Sequence, residues 1–255
     1  MPRPYILAEL TWKTVRATRY DVAVLPWGAT EAHNFHLPYG TDNIQAEDLV
    51  ARAAERAWQR GAKVVVLPGV PFGVNTGQLD IPLCINMNPS TQALLLRDVA
   101  MSLAGQGIGK LVIFNGHGAN DFRQMIRELQ PQVSLFLCTV NWYKVVDPKP
   151  FFTDLGDHAA ELETSVMLHV APDLVLPLSE AGSGAARKFK ISAFREGWAW
   201  APRNWRQVTD DTGSGNPAAS TAEKGKRYVE ALTGKIADFL IELTRADTSK
   251  LYEDQ

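Results

Sequence analysis

The feature that most constrains the fold is an alternation of short apolar runs with longer stretches of helical periodicity. Four runs rich in apolar and β-branched residues lie at 21–25, 63–67, 110–114 and 133–140. Helical patterns with plausible caps lie at 43–60, 90–104, 120–129, 159–169 and 220–245. Because strands that alternate with helices form βαβ units, this order predicts an α/β fold around a largely parallel sheet.

Three stretches between these elements are predicted to be long loops, at 68–89, 143–157 and 178–219. Loops of this length in a compact domain are usually functional. The third loop contains Trp198, Trp200 and Trp205. Exposed tryptophans occur both in the walls of binding sites and in subunit interfaces, so both interpretations stay open for this loop.

Composition and charge exclude several classes of function. The 255 residues are enough for one large or two small domains, and the formal net charge is −2 with acids and bases interspersed. No basic field attracts a phosphate backbone, so nucleic-acid binding is disfavoured. The first residues lack an apolar leader, and no apolar run approaches the ~20 residues of a membrane span. We therefore expect a cytoplasmic protein without a membrane partner.

The two cysteines support a reducing compartment. Cys84 and Cys138 are far apart, and each lies in an apolar setting. This pattern predicts two buried thiols rather than a disulfide framework or a cysteine-based metal site.

The first motif that carries chemistry spans residues 28–42, with the sequence GATEAHNFHLPYGTD. Glu31, His33 and Asp42 are ligand types that suit zinc, manganese or iron in the divalent state. A helix N-cap is the structural alternative for Asp42. We expect His36 to support the metal ligands rather than to bind the metal itself.

The second motif, NGHGAN at residues 115–120, follows the predicted strand at 110–114 directly. Small residues on both sides of His117 allow a sharp turn that presents its ring at the strand ends, where open α/β sheets bind ligands. The segment lacks the Lys and Ser/Thr of a P-loop, so a phosphate-binding turn is disfavoured.

The third motif, DHAAELETS at residues 157–165, lies at a predicted helix start. His158 and Glu161 are three residues apart and are expected to share a helix face, whereas Glu163 is expected to point elsewhere. Acidic residues also favour a first helical turn through the helix dipole, which is the structural alternative for both glutamates. His169, further along this helix, is interpreted as a core histidine.

Together these segments resemble the creatininase (creatinine amidohydrolase) family. The resemblance rests on residues 28–42, 115–120 and 158–165, with a fourth match at 213–225. It implies a three-layer αβα sandwich with a mostly parallel central sheet, formed as a single domain over residues 1–255. It also implies two divalent metal ions per chain and a homo-oligomer, often a hexamer in this family.

The resemblance further implies roles for individual residues. Glu31 and His117 are expected to bind one metal ion and His33 the other, while Asp42 bridges the two. His158 occupies the place of the family's catalytic histidine, and we expect it to protonate the leaving group.

The last metal ligand is where this chain departs from the family's namesake enzyme. That enzyme has a tyrosine and a metal-binding glutamate directly after the histidine that matches His117, whereas this chain has Gly118 and Ala119. Glu161 is found in relatives with similar glycine-rich turns, and it is expected to be the substitute ligand. The residues expected to support the ligands or contact substrate are His36, Glu163 and Trp142.

The function implied by this resemblance is metal-dependent hydrolysis of a cyclic amide or similar C–N bond in a small polar molecule. Ring opening of a keto-inositol or sugar-derived cyclic ketone, and removal of a formyl group from an amine, are alternative reactions. A metal- or sugar-binding module is the non-enzymatic alternative. A nucleotide-dependent oxidoreductase is disfavoured because the chain has no G-x-G-x-x-G motif.

Overall fold

The computed structural model describes residues 2–253. The strands are β1 (Val22–Trp27), β2 (Val64–Val66), β3 (Lys110–Asn115) and β4 (Phe136–Asn141). The α-helices are α1 (Trp12–Arg16), α2 (Thr41–Gln59), α3 (Pro89–Gly105), α4 (Arg123–Leu129), α5 (Glu161–Val170), α6 (Ser192–Glu196), α7 (Trp205–Val208) and α8 (Ala222–Arg245). Short 3₁₀ helices lie at Leu7–Glu9, Thr76–Gln78, Gln130–Gln132, Trp142–Lys144, Pro172–Leu174 and Leu178–Glu180. Within residues 2–253, no helix has both the length and the apolar character required to cross a membrane.

The four strands form one parallel sheet in the order β2-β1-β3-β4. The register aligns Val24 of β1 with Val66 of β2 and Val112 of β3, and Val112 with Cys138 of β4. Strand β2 therefore lies on one side of β1, and β3 and β4 lie on the other side. This reversal creates a crevice at the carboxyl ends of β1 and β3, where ligands bind in open α/β sheets.

Helices cover both faces of the sheet, because successive side chains of a strand point to opposite sides. Val22 and Val24 of β1 pack in one core with residues of α2 and α8. Ala23 and Leu25 pack in a second core with residues of α3 and α4. The α/β fold with a mostly parallel central sheet between helical layers is confirmed.

Several element boundaries differ from the predictions. The predicted strand at 133–140 begins at Phe136, because the preceding segment forms the 3₁₀ helix Gln130–Gln132 around Pro131. Helix α2 begins at Thr41 after Gly40, so Asp42 lies in the first turn and is not the N-cap. The loop predicted at 178–219 contains the short helices α6 and α7.

Three side chains are less buried than predicted. Cys84 and Cys138 are free thiols but only half-buried. His169 lies near the end of α5 and is half-buried as well, so its interpretation as a core histidine is wrong. All three lie at the margins of the cores, where apolar sequence neighbours do not guarantee full burial.

Close packing between α5 and α8 fixes the helix that carries the third motif. Gly225 of α8 lies so near α5 that a Cβ atom built on it would be 1.9 Å from the carbonyl oxygen of Ser165. Thr221 caps α8 by accepting a hydrogen bond from the Lys224 amide, and its own amide donates to Ser165 Oγ. The position of α5 therefore depends on a glycine at this crossing.

We predict that Gly225→Ala lowers the free energy of unfolding by about 1–3 kcal/mol, because the added methyl group overpacks the crossing. Gly234→Ala on the same helix is the matched control. Its Cβ atom would meet only the end of the Arg56 side chain, at 3.4 Å, and alanine is about 1 kcal/mol more favourable than glycine within a helix. Urea unfolding of both variants checks the prediction, and equal stability of the two contradicts it.

Candidate metal centre

Two neighbouring strands bring the first two motifs to the same edge of the sheet. Trp27 at the end of β1 pairs with Asn115 at the end of β3, and the two motifs follow directly. Gly116 allows the second motif to approach the start of α2, because a Cβ atom there would lie 2.8 Å from the carbonyl oxygen of Asp42. His117 and Asp42 therefore meet although they are distant in sequence.

The described residues include two groups of possible metal ligands that share Asp42. One group contains Glu31, Asp42 and His117, and the other contains His33, Asp42 and Glu163. Within each group the ligand atoms lie within 4.8 Å of one another. Asp42 Oδ1 is 3.1 Å from His33 Nε2, and Asp42 Oδ2 is 2.9 Å from His117 Nδ1. The two carboxylate oxygens of Asp42 therefore face different histidines.

Three histidine rings are oriented by the same kind of hydrogen bond to the backbone. One ring nitrogen of each contacts a backbone carbonyl oxygen, which accepts hydrogen bonds only, so that nitrogen carries the proton. The three contacts are His33 Nδ1 to Glu31 O at 3.2 Å, His117 Nε2 to Val74 O at 3.0 Å and His158 Nε2 to Ala32 O at 2.8 Å. The second nitrogen of each ring faces the carboxylates, an arrangement typical of metal-binding histidines.

Buried oxygens without partners show that the cluster fits a divalent cation. In the part of the chain that the structure describes, Glu31 Oε1 and Asp42 Oδ2 make no hydrogen bond. Both lie within 2.9 Å of His117 Nδ1, but one nitrogen cannot donate to both. Uncompensated buried carboxylates are costly, and a metal ion satisfies them. Carboxylate oxygens with imidazole nitrogens are a donor set for zinc, manganese or iron.

The protonation of the side chains in this cluster is coupled to the binding of a metal ion. Burial lowers the pKa of His33, but the carboxylates of Asp42 and Glu31 outweigh burial and raise it to about 10. Burial raises the pKa of Glu163 to about 7, although nearby His33 opposes the shift. Metal ligands must be deprotonated, so a cation binding here displaces these protons. Metal affinity is therefore expected to fall as the pH falls.

The third motif is arranged differently from the expectation. Glu161 lies outside the cluster: its carboxylate accepts hydrogen bonds from the amides of Thr153 and Asp154 and pairs with Lys224. Glu163 lies in the cluster instead. The spacing argument was wrong because α5 begins only at Glu161. His158 precedes the helix, so a shared helical face does not exist.

His158 lies between two aromatic rings at the margin of the cluster. Its ring centroid is 4.2 Å from that of His33 and 4.6 Å from that of Trp205. Its Nδ1 atom lies 3.9 Å from Glu31 Oε1. An antiparallel bridge to Ser214 holds its backbone. The position gives His158 access to any atom that reacts beside Glu31.

The predicted tryptophans separate into three environments. Trp205 stacks on His158, whereas Trp198 and Trp200 of the same loop are 74% and 84% exposed. Trp142 is fully buried in the core and packs edge-on against Tyr143 and Tyr228. Its ring is part of the hydrophobic core, and the expectation that Trp142 supports the ligands or contacts substrate stays a prediction.

His36 lies beside the cluster without entering either ligand group. Its Nε2 atom is 2.9 Å from Thr164 Oγ1, next to Glu163 in α5. Burial lowers the pKa of His36 to about 4, so its ring is neutral near pH 7. It links the first motif to α5.

Gln78 is a site residue that the sequence did not reveal. It is fully buried, and its side-chain amide donates to Glu31 Oε2. Cys84 Sγ in turn donates to Gln78 Oε1 at 3.0 Å. Both residues lie in the loop predicted at 68–89, whose length was the only sequence signal of a role.

The chain is similar to proteins of one family. A family model described as creatininase, creatinine amidohydrolase, matches residues 8–240. The creatinine amidohydrolase of Pseudomonas putida is 30% identical over 200 residues, covering 69% of this chain and 75% of that protein. The mycofactocin precursor peptide peptidase of Mycolicibacterium smegmatis is 28% identical over 225 residues, covering 85% of this chain and 83% of that protein.

Solved structures show the same fold. The crystal structure of a proposed creatinine amidohydrolase from Bacteroides fragilis has a TM-score of 0.94 and 45% identity, covering 99% of this chain and 100% of that one. A creatininase structure with Mn has a TM-score of 0.78 and 25% identity, covering 93% of this chain and 98% of that one. A creatininase variant of Zn-Zn type has a TM-score of 0.77 and 25% identity, covering 93% and 97%.

Proposed function

The chain belongs to the creatininase family, and from this premise we propose that it is a metal-dependent hydrolase that cleaves an amide C–N bond in a small polar molecule. The relatives in this family are hydrolases, among them an amidohydrolase and a peptidase, and both names describe the cleavage of amide bonds. A non-catalytic binding module is therefore not favoured. The shared Asp42 between two sets of oriented ligands is the observation that carries the proposal.

We assign the two ligand groups to two divalent ions. Glu31 and His117 would hold the first ion, His33 and Glu163 would hold the second, and Asp42 would serve both. The orphaned oxygens of Glu31 and Asp42 support this assignment, as do the histidine nitrogens that face them. Glu163 takes the role that the sequence assigned to Glu161.

Bound divalent ions at such a centre activate a water molecule for attack and polarise the substrate carbonyl. His158 provides the proton transfer at its Nδ1 atom, because Nε2 is held by the Ala32 carbonyl. Burial lowers the pKa of His158, which leaves a neutral imidazole able to accept a proton. Nδ1 takes the proton from the attacking water and passes it to the amide nitrogen. The C–N bond breaks, and a carboxylate and an amine leave.

Three further assignments belong to the same proposal. We propose zinc or manganese as the metal, since creatininase structures carry these ions and the donor types suit both. We propose a homo-oligomer with an interface that includes the exposed Trp198 and Trp200, because exposed tryptophans are enriched at interfaces. We propose a cytoplasmic location, because the two cysteines are free thiols.

The metal assignment predicts different effects for two neighbouring glutamates. Glu163→Gln removes a metal ligand, so the affinity of the variant protein for the second ion should fall at least about tenfold. Glu161→Gln should keep both ions but lower the free energy of unfolding by about 1–3 kcal/mol, because the partners of a fully buried carboxylate are left poorly satisfied. Metal titration by calorimetry and urea unfolding measure the two effects. The opposite pattern returns the ligand role to Glu161.

The activity is tested by a screen of zinc- and manganese-loaded protein with creatinine, formamides, short peptides and keto-inositols. We expect turnover of an amide substrate. His158→Asn should reduce kcat about 10²- to 10⁴-fold, the usual contribution of a proton-transfer group. Metal content should stay unchanged in the variant. Turnover of keto-inositols alone contradicts the amide proposal, and a loss in the variant that is below about tenfold contradicts the role of His158.

A further inference from the structure

The proposed metal ligands other than the half-buried Glu163 are closed off from solvent. The side chains that meet at the centre are almost completely buried, with exposed fractions of 1% for Glu31, 0% for His33, 2% for Asp42, 6% for His117 and 6% for His158. A substrate must nevertheless reach them. A substrate that reaches them contacts the side chains beside them that are only half-buried.

The cover over His158 is the indole of Trp205. The two ring centroids are 4.6 Å apart, with the rings tilted by 54°. Trp205 is only half-buried, so its ring has both an inner side against His158 and a side open to solvent. It is the first residue of α7, a helix of four residues. A short helix of this kind contributes few contacts that resist movement.

Surface ion pairs are one of the contacts that hold α7 beside the site. Arg203 forms two hydrogen bonds to Asp157, the residue before His158. Arg206 Nε lies 3.0 Å from Asp80 Oδ2. The four side chains are 40–63% exposed, and exposed pairs of this kind contribute little to stability. The Arg187 amide also donates to the Val208 carbonyl at 2.7 Å, and Gly77 packs closely against Arg203 and Trp205, so the helix is held over His158 by more than these pairs.

The rest of the loop is anchored more firmly. Asn34, next to the ligand His33, accepts a hydrogen bond from the Gly182 amide at 2.8 Å and donates to the Gly182 carbonyl. Its own amide donates to Thr212 Oγ1 at 2.9 Å. Asp211 is buried and accepts hydrogen bonds from the amides of Gly184 and Gly213. The segments on both sides of α7 are thus anchored, which holds Trp205 beside His158.

We propose that Trp205 is a specificity-determining residue, whose indole contacts the group attached to the substrate's carbonyl carbon and favours a planar, apolar one. The proposal rests on the proposed function, because it assumes that the carbonyl binds at the metal centre beside His158. An indole face packs on planar rings, and the Arg203 guanidinium lies 5.6 Å from the centre of this one. When the substrate's carbonyl lies next to His158, the group attached to the carbonyl carbon lies against Trp205.

Two hydroxamic acids with the same metal-binding head test this contact. Acetohydroxamic acid carries a methyl group, and benzohydroxamic acid carries a phenyl ring. Calorimetry on zinc-loaded protein gives the affinity ratio of the phenyl to the methyl compound. We expect the ratio to fall about threefold to tenfold in Trp205→Ala, which is the size of an aromatic pair's contribution. In Trp205→Phe, most of the affinity ratio of the phenyl to the methyl compound should be kept.

Trp198→Ala is the matched control, because Trp198 lies in the same loop but is 74% exposed. Its affinity ratio should equal that of the unaltered protein. A ratio that is unchanged in Trp205→Ala, or that falls equally in Trp198→Ala, overturns the proposal. Metal content is measured first. Protein that binds no zinc contradicts the proposed function. Zinc-loaded protein whose affinity ratio is unchanged in Trp205→Ala contradicts only the role of Trp205.

Discussion

The rest of the site depends on the carboxylate of Asp42. Its two oxygens face His33 and His117, which come from different strand-end loops. Asp42 lies in the first turn of α2, where the helix dipole favours a negative charge. Residues of α2 pack between the sheet and α8. The core therefore fixes the position of one carboxylate, and that carboxylate fixes the geometry of both ligand groups.

Burial explains both the chemistry of the site and its need for a cover. Charges in a water-poor site interact more strongly than charges in water, so the carboxylates raise the pKa values of His33 and His117 although burial alone lowers them, and burial raises that of Glu163. The same burial restricts access to the centre. The anchored segments around α7 hold the half-buried Trp205 beside His158, so its indole covers one side of the centre.

The sequence was sufficient for the sheet and for the residues next to strand ends, where local pattern determines structure. Glu31, His33, Asp42 and His117 meet as expected because β1 and β3 are neighbours. The roles of Glu161 and Glu163 were not predictable, because they depend on where α5 begins, and helix boundaries are poorly encoded by local pattern. Gln78 and Trp205 reach the site from loops distant in sequence, and no periodicity reports such contacts.

Anomalous diffraction from crystals soaked in zinc tests the central claim most directly. The account predicts two zinc peaks at coordination distance, about 2.0–2.2 Å, from protein nitrogen and oxygen ligands. One peak should contact Glu31 and His117, the other His33 and Glu163, and Asp42 should contact both. A single peak, or two peaks that Asp42 does not bridge, would contradict it.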